Sequence, residues 1–347
     1  MMKGFGFHQH TIVRVADANA ADDSEPLLVD GFVLTPANAD VIDVSLDLIT
    51  RIRDRHPAHM KVLLGDLLYS NLRASRWAVP LAQLGIEQGL RLRVDQHKVV
   101  DIQGAQMQHG WLHCPAAPMD QRPLPEDNAT PRRWDQIHHA ADNFKRRWAF
   151  DGKESGLGTN LTSKWVCPAI AGRVGCPARG NASVQAALDL GLPVIAAPSD
   201  WEDRPCCVNK TVDFTPDPDD NDHQRKIMQR EHVGTSRWRR LTNRRTFVEG
   251  VFGILKNPSR LRLRRGHNRL PGIAMATLVN AIKTAVFNEE QLRIWHAATG
   301  NGPADHPLLQ PDAPDWGFRN LTQEEAEVID ARHLLHLVTR DTDERAA

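Results

Sequence analysis

The sequence predicts an α/β protein, on three observations. Two β-branched segments lie near its start, "FGFHQHTIVRVA" (5–16) and "PLLVDGFVLTP" (26–36). A short apolar run, "KVLLGD", ends on Asp66, the pattern of a buried parallel strand that delivers a side chain at its carboxyl tip. Apolar residues recur at helical spacing after residue 40 and again after residue 244.

The first two segments read as strands joined by the polar loop "DANAADDSE", and their proximity predicts an antiparallel pair. A helix follows, with Val41, Val44, Leu48, Ile49 and Ile52 on one face and Asn38 or Asp40 placed to cap its start. Next come the strand ending at Asp66, a helix from Arg76 to Leu84, and a strand in "GLRLRV" (89–94). From about Asp95 to Arg240 the chain is rich in Pro, His, Trp and Cys and short of periodic runs, which predicts an irregular or β-containing insertion. Periodicity returns in "RRTFVEGVFGILK": Val248, Phe252 and Leu255 form an apolar stripe, and Arg245, Glu249 and Lys256 lie nearly on one line beside it. A basic loop, 256–272, leads into a long helix whose core stripe is expected at Met275, Leu278, Val279, Ile282 and Val286. Thr322 with Glu325 three positions on forms a capping-box pattern for a last helix. The implied organisation is 4–94, an insertion 95–236, a returning segment 237–300 and a helical tail 301–347.

With 347 residues, 41% hydrophobic and 25% charged, the chain is long enough for one large domain with an insertion or for two domains. No apolar run approaches the roughly 20 residues that span a bilayer, and the first residues lack a signal-peptide core. The expected location is therefore cytoplasmic, with no membrane partner. Five cysteines, two of them adjacent, argue against a secreted disulfide framework. Net charge is zero, but Arg225 to Arg269 holds fourteen Lys or Arg against two acids. That imbalance predicts a face for a polyanion, against the plainer reading of a solvated charged surface.

Two acids carry the chemical expectation. Asp66 at a strand tip and Glu249 on a helix with basic neighbours could together hold Mg²⁺, a hard cation that takes oxygen ligands and leaves room for water and phosphate. A pair of such ions about 4 Å apart can activate a hydroxyl and stabilise a leaving oxygen. On spacing alone, a turn-forming Asp and an exposed Glu/Arg/Lys ion pair account for the same residues.

The motifs resemble a known family. "GDLLYSN", with Asp66 and Tyr69, is similar to the second-aspartate segment of DDE transposases of bacterial insertion sequences. "TPANAD" (35–40) resembles their link from third strand to first helix. "RRTFVEGVFGILK" is similar to the Tyr-Arg-Glu-Lys signature through Arg245, Glu249 and Lys256, with Thr242 where Tyr is expected. The resemblance implies an RNase H-like mixed sheet flanked by helices, with a large insertion before the Glu-bearing helix. It also implies Mg²⁺ or Mn²⁺ at Asp66 and Glu249, and DNA phosphate at Arg245, Lys256 and the loop residues Arg260, Arg262, Arg264, Arg265 and Arg269. Partners would be the double-stranded DNA of transposon ends and further copies of the chain. In that family the first catalytic Asp stands on a strand preceding the one at 5–16. Neither Asp17 nor Asp30 takes its place, so the expectation is a truncated or split reading frame, inactive alone in strand cleavage. The alternatives are a DNA-binding remnant that acts as a regulator or is a pseudogene product, and a metal-stabilised interaction protein.

Two readings stand for Cys167, Cys176, Cys206 and Cys207: thiolates for a structural Zn²⁺, with Cys114 or His113, or buried and unpaired thiols. Trp134, Trp148 and Trp165 are expected in packing rather than in base stacking. The histidines show no helical ligand pair.

Overall fold

The computed structural model describes residues 7–302 other than 19, 22–23, 58–59, 94–95, 127, 155–161, 215–227 and 264–270, together with a few positions between 322 and 331. The architecture is mixed α/β with small sheets. Phe7–Arg14 (β1) and Leu28–Pro36 (β2) pair antiparallel, with a register shift between Ile12 and Val13. Val41–Arg55 (α1) starts where the Asp40 side chain accepts the Ile42 N–H at 3.0 Å. The Arg76 guanidinium, 2.8 Å from the same carboxylate, and that N–H hold the Asp40 pKa below its ordinary value.

Val62–Gly65 (β3) and Glu87–Leu90 (β4) form a parallel pair, and the helices Leu67–Ser70 (α2) and Ala78–Gln83 (α3) lie in the crossover that parallel pairing requires. β4 begins two residues before the predicted run. Ile42, Ile49, Trp77, Leu81 and Ile86 close a core on this side. Gly89 permits close approach: a Cβ there would sit 2.5 Å from Leu64 Cδ2 and 3.2 Å from Leu241 Cδ2. Gly89→Val is therefore expected to destabilise the protein by about 1–3 kcal/mol through overpacking, read as a lower urea midpoint at unchanged m-value.

The middle region has its own core. One antiparallel sheet comprises Val100–Ile102 (β5), Ala105–Gln108 (β6) and Trp111–His113 (β7). A second comprises Asp151–Glu154 (β8), Ser163–Val166 (β9) and Thr211–Phe214 (β10), with β9 central. Pro131–Trp148 (α4), Asn181–Asp189 (α5) and Pro205–Val208 (α6) accompany them. Met107, Leu112, Phe150, Trp165 and Val212 are buried together with four of the cysteines. Trp165 packs as expected, and Trp134 stacks on His138 beneath the Arg239 guanidinium.

Three helices follow: Ser236–Asn243 (α7), Thr246–Lys256 (α8) and Gly272–Thr299 (α9). Met1–Asn288 forms one unit and Glu289–Ala347 another. The expected core stripe of α9 is corrected: Met275, Leu278, Ile282 and Val286 are exposed and Val279 is half-buried, while Ala276, Asn280, Thr284 and Phe287 are buried. The rotation follows from two anchors. Phe287 enters a core with Val29, Val251 and Leu255, and the Asn288 side-chain amide accepts from Val29 N and donates to Val29 O, each at 2.9 Å. Thr322 and Glu325 make the reciprocal capping box, at 3.0 and 3.3 Å. No helix among the described residues is long and apolar enough to cross a membrane.

Candidate functional site

Asp66 directly follows β3, where buried Gly65 lets Tyr69 and Leu90 close in; a Cβ at Gly65 would meet them at 3.3 and 3.2 Å. Tyr69 turns back to bond its N–H to the Asp66 carbonyl at 2.9 Å, and its ring stacks on Trp77. The strand tip is thereby held against the α3 side of the core.

Glu249 arrives from the other end of the chain. Thr235 caps α7, and the Gln229 side-chain oxygen accepts from both Leu90 N–H and Trp238 Nε1–H, at 3.1 and 3.2 Å, tying α7 to β4. Arg244 is buried and donates to the carbonyls of Asp17 and Ala20. α8 then begins, with Val251 and Leu255 fully buried as its inner face and Glu249 in its first turn. The predicted stripe is thus rotated: Val248 and Phe252 are half-buried flanks of the Val251/Leu255 line.

These constraints bring the two acids to one guanidinium. Arg245 donates through Nη1 to Asp66 Oδ1 at 2.8 Å and through Nη2 to Glu249 Oε1 at 3.1 Å. The carboxylates are 64% and 68% exposed, so the bridge is open to water and contributes little to stability. Two exposed carboxylates sharing one cationic partner can exchange it for another cation at small desolvation cost.

No family model, curated protein or solved structure matches the chain. Function is therefore argued from the site.

The expected DNA contacts divide. Arg245 lies between the acids rather than facing outward alone. Lys256 ends α8, about 10 Å along the axis from Glu249 at 1.5 Å per residue, with its ammonium 5.2 Å from the Phe252 ring centroid. Arg260 and Arg262 are exposed just beyond, where Leu261 and Leu263 pack on the α8 core. Arg264, Arg265 and Arg269 lie outside the described residues.

A cleft runs beside the acid pair. Among the described strands β1 pairs only with β2, and β3 only with β4. The space between β1 and β3, about 150 Å³, is lined by Ile12, Val13, Val62 and Leu64 and reaches Arg244 and Arg245. Separate cavities are lined by His10 and Gly65 and by Asp17 and Lys61. Asp30 is paired with Arg14 at 2.9 Å.

Among the described residues, no group of three or more His, Cys, Asp or Glu side chains is placed to hold a metal ion. His113, an alternative zinc ligand in the sequence reading, is turned away from the thiols: its Nε2 meets His232 Nε2 at 2.9 Å and its Nδ1 meets the Gln106 carbonyl. Sequence reasoning missed this buried histidine pair, because nothing local in either segment marks the other.

Proposed function

We propose that the chain carries part of the catalytic centre of a metal-dependent DNA strand-cleaving and strand-transferring enzyme of the DDE transposase type. The observation that carries the reading is the convergence of Asp66 and Glu249, 183 positions apart, on the Arg245 guanidinium. Two carboxylates fit one side of a hard Mg²⁺ or Mn²⁺ ion, the remaining positions being left to water and phosphate oxygens. When bound, that ion supplies Lewis-acid activation of the phosphodiester. Arg245 holds the acids together when no divalent ion is present. Lys256, Arg260 and Arg262, with Arg264, Arg265 and Arg269, would follow the phosphate backbone of duplex transposon-end DNA, a task suited to a chain acting as a homo-oligomer in the cytoplasm.

The open cleft supports an RNase H-like arrangement. A further strand laid between β1 and β3 would join the two small sheets into one mixed sheet and end near Arg245, where an added aspartate would complete a three-carboxylate site.

Mn²⁺ binding followed by electron paramagnetic resonance tests the reading. Asp66→Asn and Glu249→Gln should each abolish the bound signal, and Arg245→Gln should tighten binding by roughly tenfold as a competing positive charge is removed. Mn²⁺ binding indifferent to all three substitutions overturns it. A second reading, a DNA-binding regulator without catalysis, is favoured by the site's having two acids among the described residues. Salt-sensitive duplex binding with no cleavage, even after a strand bearing an aspartate is supplied, would select it.

A further inference from the structure

Between residues 272 and 288, α9 is inverted for the helix of a lone chain. Ala276, Asn280, Thr284 and Phe287 are buried, whereas Met275, Leu278, Ile282 and Val286 are 40%, 52%, 56% and 47% exposed. At 100° per residue these four lie opposite the buried line, and the exposed Ala274, Ala281 and Ala285 fill the space beside them. The outer face is thus a continuous apolar stripe, about 120° wide and about 17 Å long from Met275 to Val286. Its exposed surface comes to roughly 500 Å² per chain, a size at which a contiguous patch marks an interaction site.

We propose that this stripe is the contact surface for a second copy of the chain, the two α9 helices packing antiparallel across a two-fold axis near Asn280. Charge selects a like partner. Lys283 is the one ionisable residue between 272 and 288, and it is half-buried, with its ammonium donating to the Arg262 carbonyl at 3.2 Å. An uncharged face meets itself without repulsion, as an isologous contact requires, whereas an acidic partner or a lipid surface is drawn by a row of basic residues along the same helix. Size agrees with this choice. Two such faces together bury about 1,000 Å², the threshold of a specific interface, before side chains at the rim are counted. Antiparallel pairing sets Leu278 against the partner's Ile282, Met275 against the partner's Val286 and Ala274 against the partner's Ala285, which covers every large side chain of the stripe. Parallel pairing would bring the two segments 260–269, each with five arginines and no acid, to the same end and set them in repulsion. The inference names a surface for the homo-oligomer of the proposed function, and it rests on α9 rather than on Asp66 or Glu249.

Association is read without metal or DNA, so its failure leaves the acid pair untouched. Sedimentation velocity of the full chain should show a dimer at about 50 µM. Leu278→Glu and Ile282→Lys should each give a monomer that melts close to the parent, since both positions are exposed. The double variant Leu278→Glu/Ile282→Lys should regain the dimer, because antiparallel pairing sets each new carboxylate against a new ammonium across the axis. A wild-type chain that stays monomeric at about 50 µM, or a dimer that both single substitutions leave intact, overturns the surface. A dimer lost in the single variants and not regained in the double one overturns the antiparallel arrangement. Should a single variant fail to fold, Ala285→Glu, at another exposed position of the stripe, supplies the same readout.

Discussion

Phe287→Ala will destabilise the protein by about 3–5 kcal/mol and release Glu249 on α8 from its register with Asp66. Phe287 is fully buried against Val29 of β2 and Val251 and Leu255 of α8, so truncation leaves a cavity at the joint of three elements. Its neighbour Asn288 clamps β2 through the backbone of Val29, which prevents α9 from sliding in to fill the space. Loss of the ring should therefore lower the urea midpoint and weaken Mn²⁺ binding together. Leu255→Ala, which removes the α8 partner of the same core, should cost about 2–5 kcal/mol. A Phe287→Ala protein as stable as the parent would show that α9 does not anchor this core.

Stability will fall steeply as the pH drops below about 6.5. His113 and His232 are both fully buried, with their Nε2 atoms 2.9 Å apart, so one ring donates and the other accepts and neither is protonated in the fold. Burial first, then the Arg122 guanidinium, holds both pKa values well below 6.5; His113, Lys145 and His109 add to the effect on His232. Arg122 is itself buried, has no carboxylate partner among the described residues, and is pushed down to about 9 by that burial. The unfolded chain takes up protons at each imidazole near 6.5 while the folded chain does not. Their contribution is complete above that pH and is lost as pH falls through it toward the depressed folded values. Two such groups give a slope of at most about 2.7 kcal/mol per pH unit. Urea midpoints between pH 7.5 and 5.5 check this, and His232→Gln should roughly halve the slope. A flat profile over that range would mean the pair is solvated or already charged.

Much of the local fold was legible because it depends on near neighbours in the chain. β1 and β2 pair antiparallel as their proximity in the chain predicts, Asp40 rather than Asn38 caps α1, and Thr322 and Glu325 bond reciprocally. The middle region resisted reading because its core is assembled from short strands and turns too brief to show a period. The exposed stripe of α9 misled for another reason. Apolar spacing identifies a helix, but the buried side is chosen by anchors such as Phe287 and Asn288, and small or polar residues allow the closer approach.

The sequence by itself determined the α/β character, the element order around Asp66 and Glu249, and the basic character of the segment that carries the latter. Only the tertiary structure decided that these two carboxylates share one guanidinium, that His113 meets His232, and that the cysteines of four distant segments share a core. Secondary structure follows from interactions within a few residues, whereas contacts across 119 to 179 positions depend on how the elements pack, which no local pattern records.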